Sequence, residues 1–280
     1  MRGKIPLIAL SLTMAATACD IVGPPYKEAV RDDDAASGDT VSRVVIEKFT
    51  GFMCGNCPEA GRTAHQIAQR YQGKVFVAEI HTGTLADTFP PFGQYYFKTP
   101  SGDSLNRYYG VDNRGVPIGL VSRRSWNGEP LSTPSTWAGR TDSLLKEPPL
   151  CLMSVKSEYN AASREVSARV QVEFLRSVVE PLNLVVYLLE DSVISYQKDY
   201  SRSPSSVYDY YQRDMLRLCP TGVWGRPWIS SAVPGERRET VVAFRLNETW
   251  NARHCKVLAF LARTNTREVL QAAETYVISR

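Results

Sequence analysis

FTGFMCGNCPEAG, Phe49 to Gly61, places two cysteines, Cys54 and Cys57, two residues apart between a β-branched run and a helical pattern. Val44 to Phe49 (VVIEKF) has strand composition. Cys54 to Gln72 reads as a helix. Pro58 suits a first helical turn, Glu59 the positive N-terminal end, and Gly73 the stop. Ala60, Ala64, Ile67, Ala68 and Tyr71 recur at three- and four-residue steps and give one apolar face. Lys74 to Ile80 is a second strand. The order strand, CxxC, helix, strand predicts parallel pairing through a crossover.

The spacing admits three chemistries. A thiolate is the reactive form of cysteine, and a helix N-terminus stabilises a thiolate placed there. Cys54 is expected at that place as nucleophile. Cys57, one turn on, would resolve a mixed disulfide formed at Cys54. Half a zinc site would need about two further ligands, yet there is no second CxxC and the histidines are His65, His81 and His254. A structural disulfide is the third reading. The strand–motif–helix context favours a redox pair. His81, ending a strand near the pair, is a candidate for proton transfer. His65 reads as an ordinary helix residue.

The rest of the 280-residue chain bounds the setting. A net charge of +4 and the lack of a Lys/Arg run argue against a nucleic-acid partner. Residues 1–18 read as a secretion signal: Arg2 and Lys4 precede an apolar stretch, Ile5 to Leu12, and small residues lead into Cys19. That ending looks like a bacterial lipoprotein signal, with Cys19 lipidated and a membrane reached through the anchor. Residues 19–40, with Asp32 to Asp34, read as a disordered tether. Residues 41–147 form the first expected domain, with a short helix at Ser104 to Tyr109, a strand at Ile118 to Val121 and a helix at Ser135 to Lys146. Pro148-Pro149 is a natural boundary. Beyond it, residues 148–280 are strand-rich: Val166 to Phe174 alternates cleanly, and Leu182 to Leu189, Thr240 to Leu246, Lys256 to Arg263 and Val269 to Ile278 follow. Short strands with turn signals predict an immunoglobulin-like β-sandwich. A polar insert between Ser195 and Glu239 carries Tyr196, Tyr200, Tyr208, Tyr210, Tyr211, Trp224 and Trp228, expected to cap the sandwich or the junction. Of Cys151, Cys219 and Cys255, ordinary sandwich connectivity favours a Cys219–Cys255 disulfide.

Residues 44 to 124 look like a thioredoxin-fold domain. RGVPIGLVSR, beginning at Arg114, is similar to the loop of that fold that holds a cis-proline opposite the CxxC. The likeness implies a cis Val116-Pro117 bond that presents the Val116 backbone beside Cys54, where an extended substrate segment would pair. The lipoprotein-like start, EKFTGFMCGNCPEA, the GVP loop and KVLAFLARTNTREVLQAAE (Lys256 to Glu274) together resemble the outer membrane protein 28 family of bacterial surface lipoproteins. The expectation is therefore a thioredoxin-like α/β domain followed by an all-β immunoglobulin-like sandwich, anchored in the outer membrane on its periplasmic or surface face. Its function would be thiol–disulfide exchange with the thiols or disulfides of envelope proteins, through Cys54, Cys57 and Pro117 and without a cofactor. The alternative is a non-catalytic binding or adhesion lipoprotein whose CxxC is a staple. Met53, Asn56 and Lys48 favour that alternative, since redox-active thioredoxins commonly carry Trp, Pro and a buried acid at those positions.

Overall fold

The computed structural model describes residues 40–279. The signal segment, Cys19 and all but the last residue of the tether lie outside the described residues. In chain order the elements are β1 (Val44–Thr50), α1 (Cys57–Arg70), β2 (Val75–His81), α2 (Pro100–Tyr109), α3 (Val111–Arg114), β3 (Ile118–Val121), β4 (Leu131–Ser132), α4 (Pro134–Leu145), β5 (Cys151–Asn160), β6 (Glu165–Phe174), β7 (Leu182–Glu190), β8 (Val193–Lys198), β9 (Ser206–Gln212), β10 (Met215–Leu218), β11 (Arg226–Ile229), β12 (Arg237–Arg245), β13 (Cys255–Arg263) and β14 (Val269–Tyr276).

The local reading around the cysteines holds. β1 and β2 pair in parallel, in a register that sets Lys48 opposite Glu79. α1 makes the crossover, with Pro58 in its first turn. Ala60, Ala64 and Ile67 pack with Val44, Ile46, Val75 and Val77 on one face of the sheet, and Trp137 of α4 completes that cluster.

The larger architecture differs from expectation. A thioredoxin-like α/β domain beside a separate immunoglobulin-like sandwich is not what forms. The chain is predominantly strand, and one mixed nine-stranded sheet runs β14-β13-β7-β10-β2-β1-β3-β4, with β11 also on β7. β10 is the join. Met215 pairs with Glu79 of β2 on one side and with Glu190 of β7 on the other. Strands from before and after Pro148-Pro149 thus share one hydrogen-bonded surface. The sheet also folds back on itself, because the Val269 N–H donates to the Ser122 carbonyl at 2.8 Å. Val45, Phe49, Ala78, Ile80 and Leu120 meet Val185, Tyr187, Leu258 and Phe260 in one enclosed cluster.

The physical reason lies in β7 and β13. A sandwich strand is half-buried and alternates, as β6 does. β7 is buried at every position. Leu182, Leu184, Leu188 and Val186 face a second cluster, shared with the three-stranded sheet β12-β6-β5. Val185, Tyr187 and Leu189 face the enclosed one. A strand covered on both sides needs a layer on each, and the β1–β3 segment is the second layer. Inside that layer Arg123 donates to Glu47 through Nε (2.7 Å) and Nη2 (2.9 Å), and the Tyr187 hydroxyl donates to the same carboxylate at 2.8 Å.

Candidate functional site

Residues 51–56 turn the chain from the end of β1 into α1. The Cys54 N–H donates to the Gly51 carbonyl (3.0 Å) and the Cys57 N–H to the Cys54 carbonyl (3.2 Å). This tight path brings Cys54 and Cys57 together as a disulfide, with Cα atoms 5.3 Å apart. The helix opens at Cys57, with Asn56 as its cap. The first helical turn therefore holds Cys57, and Cys54 lies on the turn just before it. Cys54 Sγ sits 3.7 Å from the Val116 carbonyl oxygen, and the Val116-Pro117 bond is cis. The sequence-derived trio Cys54, Cys57 and Pro117 thus meets at one place.

Below the disulfide lies a row of buried charges. On β1, Val44, Ile46 and Lys48 share the face toward α1. On β2, Val75, Val77 and Glu79 do. Lys48 Nζ lies 2.8 Å from Glu79 Oε2 and 3.4 Å from the Cys57 carbonyl oxygen, to which it donates. Gly61 of α1 makes room: a Cβ there would stand 3.0 Å from Lys48 Nζ and 3.2 Å from Glu79 Oε1. His65 Nε2 is 3.3 Å from Glu79 Oε1, and its Nδ1 is 3.6 Å from Asp214 Oδ2. Lys256 Nζ reaches Asp214 Oδ1 at 2.5 Å and Glu274 Oε1 at 3.1 Å.

The electrostatics follow from this packing. Burial by itself would raise the Glu79 carboxyl, but the Lys48 charge and His65 hold it down to about 2. His81 is next along the same face of β2. Burial drives its imidazolium down to about 3; Glu79 opposes that shift, and Lys48 and Arg217 add to it. His81 is therefore neutral at ordinary pH, packed edge-on against Phe97 with centroids 5.2 Å apart.

Above the disulfide lies a hairpin from the other half of the chain. β8 and β9 pair with each other. The Lys198 N–H donates to the Phe52 carbonyl at 2.9 Å and the Tyr200 N–H to the Gly55 carbonyl at 2.8 Å. Gln197 Nε2 donates to the Cys54 carbonyl at 3.1 Å. The Tyr200 ring lies flat on Gly55, where any Cβ would overlap it. Arg62 of α1 holds Asp199 Oδ2 at 3.2 Å. Under this cover Cys54 is 3% exposed and Cys57 1%.

Sequence reading missed Glu79, His65 and Asp214 as parts of the site. A signal was present for two of the charges: VVIEKF and VFVAEI each carry one charged residue on the parity that points toward α1. The aromatic insert divides. Tyr196 stacks on Phe92 (4.3 Å) and meets Phe52 edge-on, whereas Trp224 lies under Arg267, with the guanidinium 4.1 Å from the ring centroid. The expected Cys219–Cys255 disulfide is absent: both are free buried thiols, as is Cys151. Cys219 belongs to the enclosed cluster and Cys255 to the cluster on the opposite face of the sheet, so the sheet separates them. Burial pushes each of the three thiols up to about 12.

Comparison with known proteins adds three observations. A family model described as outer membrane protein Omp28 matches residues 102–278, which begins beyond the cysteine pair. No curated protein matches the chain. Among solved structures, HBP35 of Porphyromonas gingivalis is similar over 86% of this chain and 76% of its own, at 19% identity and a TM-score of 0.64. A crystal structure from Agrobacterium tumefaciens is similar over 85% of this chain and 96% of its own, at 13% identity and a TM-score of 0.53. A domain of the outer membrane lipoprotein Omp28 from Porphyromonas gingivalis aligns over 46% of this chain and 88% of its own, at 16% identity and a TM-score of 0.32. At these identities the first two speak for a shared fold alone.

Proposed function

This chain belongs to the Omp28 family of outer membrane proteins, and we propose that it is a lipid-anchored member whose Cys54–Cys57 pair exchanges disulfides with envelope proteins. Cys19 would carry the anchor. In the exchange, a partner thiolate attacks Cys54 Sγ, the Cys54–Cys57 bond breaks, and Cys57 leaves as a thiolate that takes up a proton. A second partner thiolate then attacks its own sulfur in the mixed disulfide and releases Cys54. The partner dithiol becomes a disulfide, and the two cysteines become thiols. The reverse sequence reduces a partner disulfide. Pro117 and the Val116 carbonyl would flank the attacked sulfur and orient the partner segment.

The observation that carries this reading is the Lys48–Glu79 ion pair beneath Cys57. Burying charges costs several kcal/mol per ion, and a staple has no use for them. A leaving thiolate would: Lys48 Nζ, which donates to the Cys57 carbonyl, and the first turn of α1 would both favour negative charge at Cys57. Glu79, held down, and His81, held neutral, lie beside the pair, and groups with shifted titration in such places mark functional sites more often than chance.

The test is a Cys57→Ser variant of the full chain expressed in the envelope. Cys54 should hold partners as mixed disulfides, identified by mass spectrometry after alkylation. A companion measurement sets the reduction potential of the wild-type pair. Stable structural disulfides lie below about −300 mV. A value in that range, together with no trapped partner, would return the pair to the role of a staple in a binding lipoprotein.

A further inference from the structure

We propose that the β8–β9 hairpin is a strap over the disulfide, and that a partner reaches Cys54 as an extended segment that displaces the strap and takes over its backbone contacts. This rests on the exchange reading. Thiol–disulfide exchange requires a sulfur of the partner to reach Cys54 Sγ, and the closed structure leaves Cys54 3% exposed. The cover is specific. Lys198 and Tyr200 give their N–H groups to the Phe52 and Gly55 carbonyls, one on each side of Cys54. Those are the positions that the N–H groups of an extended peptide lying across the loop would occupy. The strap thus stands where a substrate strand would lie.

Its construction suits opening. In the described residues β8 and β9 form a two-stranded sheet of their own, outside the nine-stranded one, and a hairpin without further strands is marginally stable. Its buried contacts are partly apolar, through Tyr196 on Phe52 and Phe92, and partly polar: Ser195, Gln197, Asp199 and Gln212 are all buried. Gln212 Nε2 donates to Ser195 Oγ and to Gln197 Oε1, both at 3.0 Å, and Gln197 passes the chain on to the Cys54 carbonyl. The polar share of these contacts can be exchanged for water at lower cost than apolar burial, so the Tyr196 ring is the main apolar contact that opening must break. Both stems turn at residues in the left-handed region, Ser192 (φ 58°) and Asp214 (φ 44°). Non-glycine residues adopt it at a cost and concentrate at switch regions. The latch is Asp199, fixed by Arg62 and by Ser201, whose N–H (3.0 Å) and hydroxyl (2.7 Å) both donate to Oδ1. On the outer side Ile194, Tyr208 and Tyr211 stand exposed.

Hydrogen exchange on the unmodified full chain tests the opening without any substitution. The Lys198 and Tyr200 amides should exchange at least about tenfold faster than those of β1 and β2, because strap opening is local and sheet opening is global. Reduction of the disulfide by dithiothreitol is the second readout. Asp199→Ala and, separately, Tyr200→Ala should each accelerate it about tenfold, as expected for loss of a charged hydrogen bond or of the ring that covers the loop. Variants are compared at matched circular dichroism, and Tyr200→Ala serves if Asp199→Ala fails to fold. Equal exchange of strap and sheet amides, or a reduction rate unmoved by both variants, would overturn the strap. Faster reduction with no partner trapped by Cys57→Ser supports the strap as a steric gate and refutes exchange with envelope proteins.

Discussion

Lys48 and Glu79 decide the chemistry beneath the disulfide because neither tolerates the loss of the other. Their side chains are buried and 2.8 Å apart, so Lys48→Met leaves a buried carboxylate with His65 alone beside it. We expect it to cost about 3–5 kcal/mol in urea unfolding, and Lys48→Met with Glu79→Leu to recover most of that. The single variant should also make the reduction potential more negative, since it leaves the Glu79 carboxylate unneutralised on the α1 side of the sheet, where a Cys57 thiolate would form. His81 sets a pH dependence. In the folded chain it titrates at about 3 against an ordinary 6.5, so between those values the unfolded chain binds a proton that the folded chain refuses. Stability falls as pH drops from 6.5, by an upper bound of about 5 kcal/mol at ~1.4 kcal/mol per unit. Glu79 acts in the same direction lower down: its contribution is full above 4.5 and lost as pH falls through about 2. Unfolding free energies across pH 4.5–7.5 should slope upward for the wild type and flatten in His81→Phe. A flat wild-type profile would contradict the buried neutral imidazole.

β7 and β13 show what was legible element by element. β1, α1 and β2 could be read from period and composition, because VVIEKF, the α1 pattern and VFVAEI each match one template. The parallel pairing followed; the placing of Pro117 beside Cys54 and Cys57 came from the resemblance to the thioredoxin fold. The hairpin over the site was not legible. β8 and β9 are polar and tyrosine-rich, and their inward residues are mixed: Gln197 bonds to backbone carbonyls of the Cys54 loop, while Tyr196 packs on Phe52 and Phe92. No sequence period records such a contact. The disulfide expected between Cys219 and Cys255 failed for a different reason: Cys255 shares the face of Val257, Ala259 and Leu261 by the two-residue side-chain period of a strand, but the face of Cys219 depends on how β10 enters the sheet. Its outcome is testable. The three buried thiols, each near 12, should resist iodoacetamide at pH 8 in the native chain and label together on unfolding. A Cys219–Cys255 peptide in non-reducing maps would contradict the placement on opposite faces.

At the scale of the molecule, LNLVVYLLE and CKVLAFLAR lack alternation, the mark of strands covered on both sides. In the structure both strands share one sheet with β1 and β2. Residues 41–147 expressed alone should therefore remain unfolded by circular dichroism and amide dispersion, because their inner face has lost β7, β13 and β14. The full chain should melt in one transition by calorimetry. A folded, cooperative 41–147 fragment would overturn the shared core.

The β10 join has a consequence for the order of events during synthesis and export. β2 reaches its neighbour through Met215 and the Asp214 carbonyl, which accepts the Glu79 N–H at 2.9 Å. The chain thus emerges with a strand whose far edge, at Glu79, meets its partner only when residues far downstream arrive. Such edges invite pairing with other chains, and long-range closure is slow. β2 and β1 should gain protection late in pulse-labelled refolding, together with β10, and the waiting nascent half is the species a periplasmic holdase would meet. Protection of β2 before β10 would remove that requirement.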